Sequence, residues 1–364
     1  MESIRSPEVY TMKGGDGPHS YAKNSTLQRH VIEVAKEAMK ETIAEKLDVG
    51  AFNSSKTIKI ADLGCSVGPN TFEAVETIIE AVRSKYGSQG LSSQIPQFQV
   101  FFNDHVSNDF NLLFTTLPRD KQYYAAGVPG SFYERLFPEA SLHVVHSSSS
   151  LHWLSRVPEE VTNKNSPAWN KGRIHYANSG DEVIRAYKAQ GERDMEKFLQ
   201  LRAQEVVNGG LMLLNSTFNP NGTHPSQCVS HLFVDLIGSS LMELARKGRI
   251  SEEKVDSFNL PIYLMTPQEM EAAVERNGCF SIERIETLAS RPRGNGGNES
   301  LDHQMAAHIR AGMEDTITQH FGEDIIDELL DLYRKNIREI FIPFLAKSDG
   351  AKGESLLVVL KRKY

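Results

Sequence analysis

Hydrophobic and polar positions follow two alternating periods along the chain. Short apolar runs of strand length fall at residues 58–63, 98–102, 123–128, 142–146 and 211–214. Between them apolar residues recur at helical spacing, as with Phe72, Val75, Ile79 and Val82, and predict helices over 72–85, 109–116 and 181–207. Ser25 predicts the cap of an earlier helix that runs to about Leu47. Alternating strand and helix predict an α/β fold, a parallel sheet with crossover helices on its faces. From about 218 to 277 the pattern becomes mainly helical, with helices at 231–247 and 267–277. A glycine-rich polar loop at 291–300 leads to two more, 303–320 and 324–346. Strand patterns at 280–287 and 355–361 show that the sheet resumes around these helices. The expected organisation is a sheet unit of residues 1–217, 279–290 and 355–364, with a helical cap from 218–278 and 291–354. No internal repeat stands out.

Candidate chemistry begins where the first apolar run ends, in Asp62-Leu63-Gly64-Cys65-Ser66-Val67-Gly68-Pro69-Asn70-Thr71. A strand entering a carboxylate and a glycine-rich turn, then a helix capped by Asn70 or Thr71, suits a nucleoside-containing cofactor. The glycines follow G-x-x-x-G rather than G-x-G-x-x-G, and Asp62 would face the pyrophosphate of a dinucleotide, so NAD is disfavoured. S-adenosylmethionine, with its sulfonium and ammonium, suits that carboxylate better. The second strand ends in Asn103-Asp104, where an aspartate can accept both ribose hydroxyls or simply shape a turn.

Composition narrows the partners. The chain has 364 residues, 40% hydrophobic and 24% charged, with a formal charge of −7. It carries no basic block, so nucleic acid is not expected as a partner. Its apolar runs are too short to span a bilayer, and Met1–Arg5 lacks the apolar core of a secretory signal. Cys65, Cys228 and Cys279 read as free thiols of a reducing compartment, and a cytoplasmic location is expected. Ser131 lacks the last glycine of a nucleophile elbow, Tyr133 standing there. His143 and His146 would point to opposite faces of a strand, which disfavours a shared metal.

Further motifs accompany the turn in order: Met12-Lys13-Gly14-Gly15, Ser20-Tyr21-Ala22-Lys23-Asn24-Ser25, Asn108-Asp109-Phe110-Asn111, Pro129-Gly130-Ser131-Phe132-Tyr133, Leu151-His152-Trp153-Leu154-Ser155 and Asp256-Ser257-Phe258-Asn259. With them nearly the whole chain resembles the plant SABATH methyltransferases, which methylate small carboxylic acids and, in one branch, xanthine nitrogens. The resemblance implies a Rossmann-like methyltransferase sheet with helices on both faces, a helical cap and a homodimer. It implies cofactor contacts from Tyr21, Ser25, Asp62, Gly64, Cys65, Asn70, Asp104, His105, Ser131, Phe132 and Ser147. Lys13, Gln28, Ser149, His152, Trp153, Val234 and Ile262 would meet the acceptor. Asn170, Asp256, the Phe258 carbonyl and Asn259 match a peripheral magnesium site.

The implied reaction is in-line attack of a carboxylate on the methyl of S-adenosylmethionine. Small acids have pKa values near ~4, so the nucleophile is ionised at neutral pH and needs no base. Gln28 and Trp153 would orient it as neutral donors. The alternative acceptor is a xanthine-type purine alkaloid methylated on nitrogen. His152 in place of a methionine and Ser149 in place of a tyrosine argue against salicylate.

Overall fold

The computed structural model describes residues 10–52, 56–290, 300–347 and 353–364. Seven strands form one sheet: β1 (Thr57–Leu63), β2 (Gln97–Asp104), β3 (Tyr124–Pro129), β4 (Leu142–Ser148), β5 (Val206–Thr217), β6 (Phe280–Ser290) and β7 (Gly353–Arg362). Their order is β3-β2-β1-β4-β5-β7-β6. The first five pair in parallel, as alternating strands and helices require. β7 runs antiparallel to both β5 and β6, so the sheet is mixed.

Each buried strand feeds two cores because its side chains alternate between faces. Ile58, Ile60, Val100 and Val144 pack with Ile43 of the Thr26–Lys46 helix and Val75 and Val82 of the Pro69–Ser88 helix. Ala61, Leu63, Val145 and Met212 face the Asp181–Glu205 helix through Met195, Phe198 and Leu199. Helices therefore cover both faces. A third core joins the Val229–Arg246, Leu301–Phe321 and Ile326–Asn336 helices into the cap.

Several expectations need correction. The Pro267–Asn277 helix belongs to the sheet layer, where its Met270, Ala273 and Val274 pack among sheet residues. β5 starts at Val206, earlier than expected, and absorbs the end of the predicted helix. Gly209 (φ 77°) lies where its pairing with β4 shifts register. The last long helix is interrupted by a π-turn over Ile337–Phe341. Pro343, lacking an N–H, forces that widening just upstream. Ser25 makes no side-chain cap, and the Pro69–Ser88 helix is capped from Gly68, which leaves Asn70 and Thr71 inside its first turn. Apart from Ser300, the glycine-rich loop of 291–300 lies outside the described residues. No helix among them is long and apolar enough to cross a membrane.

Candidate cofactor and acceptor site

The turn after β1 is built around Gly64. Its φ is 79°, and a Cβ there would stand 2.2 Å from Ser150 Oγ and 2.5 Å from Ser150 Cβ. Only glycine meets both conditions. Gly64 and Cys65 donate their N–H groups to the Asn103 carbonyl at 2.9 and 3.0 Å. Asn103 Nδ2 donates in turn to the Val128 and Gly130 carbonyls at 2.8 and 2.9 Å. One buried asparagine thereby ties together the ends of β1, β2 and β3. Ser66 follows at φ 50°, a left-handed conformation held open at a functional turn.

That conformation aims the Ser66 N–H at Asp104 Oδ2, 2.7 Å away, while the His105 N–H meets Oδ1 at 2.7 Å. Burial pushes the Asp104 carboxyl up, and these two amides, with the nearby His105 ring, oppose the shift. A carboxylate offers about four lone-pair positions, so acceptor capacity remains for ligand hydroxyls. Burial and the Asp104 charge push the Tyr21 hydroxyl up, which keeps it a donor.

Asp104 opens onto a cavity beyond the carboxyl ends of the strands, where ligands bind open α/β sheets. Tyr21, Gly64, Asp104, His105 and Phe132 line its sheet side. Phe132 is held through its backbone: the fully buried Arg202 donates from Nη1 to the Phe132 carbonyl at 3.0 Å and pairs with Glu205 at 2.8 Å. Gln28, Ser149, His152, Trp153, Val234 and Ile262 line the rest with cap residues.

The segment carrying Trp153 is pinned on both sides. Tyr263 N–H donates to the His152 carbonyl at 2.9 Å and Leu154 N–H to the Pro261 carbonyl at 2.7 Å. Trp153 stacks on Tyr10 with ring centres 5.8 Å apart. Gln28 lines the same cavity, its Oε1 buried and without a hydrogen-bond partner among the described residues. His152 Nδ1 lies 3.2 Å from Ser216 Oγ. Burial, reinforced by His308, lowers the His152 pKa to about 4 and keeps the ring neutral.

The other expected contacts stand behind the lining, each with protein partners. Asp62 accepts from Thr71 Oγ1 and sits 2.6 Å from His146 Nδ1, anchoring strand to helix. Asn70 Nδ2 donates to the Ser25 carbonyl and hydroxyl at 3.1 and 3.0 Å, locking the N-terminal segment to the helix start. Ser147 Oγ donates to the Leu63 carbonyl at 2.9 Å, its side chain falling on the other face from the lining Ser148. Ser131 Oγ accepts from the Tyr133 N–H, and Lys13 pairs with Glu314 of the cap. The buried Cys65 thiol is pushed well up by burial.

Tyr10, Met12, Ser66, Ser148, His231 and His308 line the cavity without having been predicted. A signal existed for His308, a polar residue at helical spacing between Met305 and Gly312 on an otherwise small and apolar face. Of the residues matched to a magnesium site, Asn170 Nδ2 donates to Asn259 Oδ1 at 2.7 Å and Asp256 Oδ1 accepts from Gly172 N–H at 2.7 Å. The set is oxygen-only and fits a hard cation, with a single carboxylate to hold it. Among the described residues no group of three or more His, Cys, Asp or Glu side chains could hold a metal ion.

The glycine turn after β1, the carboxylate ending β2 and the cavity roofed by helices define a Rossmann-like methyltransferase. A family model described as "SAM dependent carboxyl methyltransferase" matches residues 7–363, and the chain belongs to that family, the SABATH family its motifs resemble. Loganic acid O-methyltransferase of Catharanthus roseus is 48% identical, over 100% of this chain and 98% of its own length. Farnesoic acid carboxyl-O-methyltransferase of Arabidopsis thaliana is 41% identical, over 97% and 99%. A solved structure of a loganic acid methyltransferase with SAH matches at a TM-score of 0.91 and 47% identity, covering 97% of this chain and 99% of that one. The protein is an S-adenosylmethionine-dependent carboxyl methyltransferase.

Proposed function

We propose that the acceptor is a small carboxylic acid whose carboxylate is held between Gln28 and Trp153, yielding its methyl ester. The observation carrying this reading is that Gln28 and Trp153, two neutral side chains that each carry an N–H donor, line one cavity, with the Gln28 amide oxygen buried there without a partner among the described residues. S-adenosylmethionine supplies the electrophilic methyl. Asp104 and Tyr21 offer hydrogen bonds to that cofactor, and Gln28 and Trp153 orient the anion. Positioning of this kind can contribute roughly 7–11 kcal/mol. No side chain has to take a proton, which agrees with a His152 whose lowered pKa makes it a poor base. The resemblance further supports a homodimer and a bracing magnesium ion at Asn170, Asp256, Phe258 and Asn259, remote from the chemistry, and the three free cysteines support a cytoplasmic location.

Loganic acid is the first acceptor to test, with farnesoic, salicylic and jasmonic acids and xanthine beside it. Labelled S-adenosylmethionine reads the product. The expected result is a methyl ester whose rate of formation is flat from about pH 6 to 9, because an acid of pKa ~4 stays ionised. An N-methyl product formed at a rate that rises with pH overturns the reading.

A further inference from the structure

Five buried polar atoms without a partner among the described residues belong to residues lining this one cavity: Gln28 Oε1, Ser66 Oγ, Ser148 Oγ, His231 Nδ1 and His308 Nδ1. Ser66 belongs to the cofactor turn, Ser148 ends β4, and Gln28 stands on the side proposed for the carboxylate. The two histidines stand on cap helices, Val229–Arg246 and Leu301–Phe321, and carboxyl methylation gives them no task.

A neighbour sets the tautomer of His231. The Tyr176 hydroxyl accepts the Leu264 N–H at 3.1 Å, so its own proton needs an acceptor, and His231 Nε2 lies 3.4 Å away. That places the His231 proton on Nδ1, a donor. His308 Nδ1 is likewise buried without a partner among the described residues. Burial lowers both pKa values to about 4, so the rings are neutral, and a neutral His308 can present Nδ1 as a lone pair. His231 offers a donor and His308, in that tautomer, an acceptor, the complement of a hydroxyl group. Val234, Ile309 and Met313 share the same helices and suit the carbon skeleton that carries it.

We propose, resting on the carboxyl methyltransferase reading, that His231 and His308 form a hydroxyl-recognition subsite in the cap. The natural acceptor then bears a hydroxyl remote from its carboxylate and is not a hydrocarbon-chain acid. A site built to bond a hydroxyl discriminates strongly against a ligand lacking one, because its polar groups are left unpaired.

Steady-state kinetics with loganic acid as hydroxylated probe and farnesoic acid as hydrocarbon probe test this on the full-length enzyme. Calorimetric binding of S-adenosylhomocysteine verifies that each variant is folded. The wild type should favour loganic acid at least ~10-fold in kcat/KM. His308→Leu should raise the loganic acid KM ~10-fold or more with kcat little changed, and farnesoic acid turnover should fall by less than threefold. His308→Gln, which keeps an acceptor, should recover part of the loss. Ester from farnesoic acid with none from loganic acid overturns the subsite and leaves carboxyl methylation standing. Equal losses on both acids in a His308→Leu enzyme that still binds S-adenosylhomocysteine also overturn it. No ester from any acid overturns both readings.

Discussion

Replacing Gly64 with alanine should separate backbone strain from packing at the cofactor turn. At φ 79° an L-residue enters left-handed space, at a cost of about 1–2 kcal/mol. The new Cβ would also lie 2.5 Å from Ser150 Cβ, an overlap that requires a shift costing about 1–3 kcal/mol. The two add to about 2–5 kcal/mol, divided between stability and cofactor affinity according to how far the turn moves. Urea unfolding reads the first share and calorimetry with S-adenosylhomocysteine the second. Each 1.4 kcal/mol on binding is about tenfold in Kd. The double variant Gly64→Ala, Ser150→Gly should recover the packing share and keep the backbone share, since only the overlap depends on Ser150. The reasoning fails if Gly64→Ala unfolds at the wild-type urea midpoint and binds S-adenosylhomocysteine within about threefold of wild type. It also fails if the double variant is no better than the single one.

Trp153→Phe and Gln28→Ala should each cost about 1–3 kcal/mol of transition-state stabilisation, because hydrogen bonds to charged groups are the stronger kind. That corresponds to roughly 5- to 150-fold in kcat/KM for the acid, and an unchanged rate in either variant counts against carboxylate contact at these positions. Acidification should destabilise the fold. His152, His231 and His308 have folded pKa values lowered to about 4 against an unfolded value near 6.5, so the unfolded chain binds protons that the folded one refuses. Stability is therefore full above about pH 6.5 and falls toward pH 4, each ring contributing up to about 1.4 kcal/mol per pH unit. Unfolding midpoints at pH 6.5, 5.5 and 4.5 measure the slope, which should be shallower in a His231→Gln variant.

The local half of this protein was legible in its order of residues. A β-strand exposes its period within a few positions, so the end of β1 at Leu63, the turn at Gly64 and the carboxylate of Asp104 closing β2 could all be read from short windows. The parallel pairing of the first five strands followed from the helices between them. What could not be read was which way each polar side chain near the turn would face. Ser147 turns to the opposite face of β4 from the lining Ser148 and bonds the Leu63 carbonyl, whereas Asp62 shares the face of Gly64, Asp104 and Ser148 but lies two residues deeper, where Thr71 and His146 take it up. At the acceptor end the motifs pointed to Gln28, His152 and Trp153, but the cap histidines depended on tertiary structure. His231 and His308 stand 77 positions apart in the chain and line one cavity because the cap helices that carry them share an apolar core. Sequence periodicity specifies that such a helix buries a face. Packing against distant elements decides which polar atom on that face is left without a partner, and so where a ligand can bind.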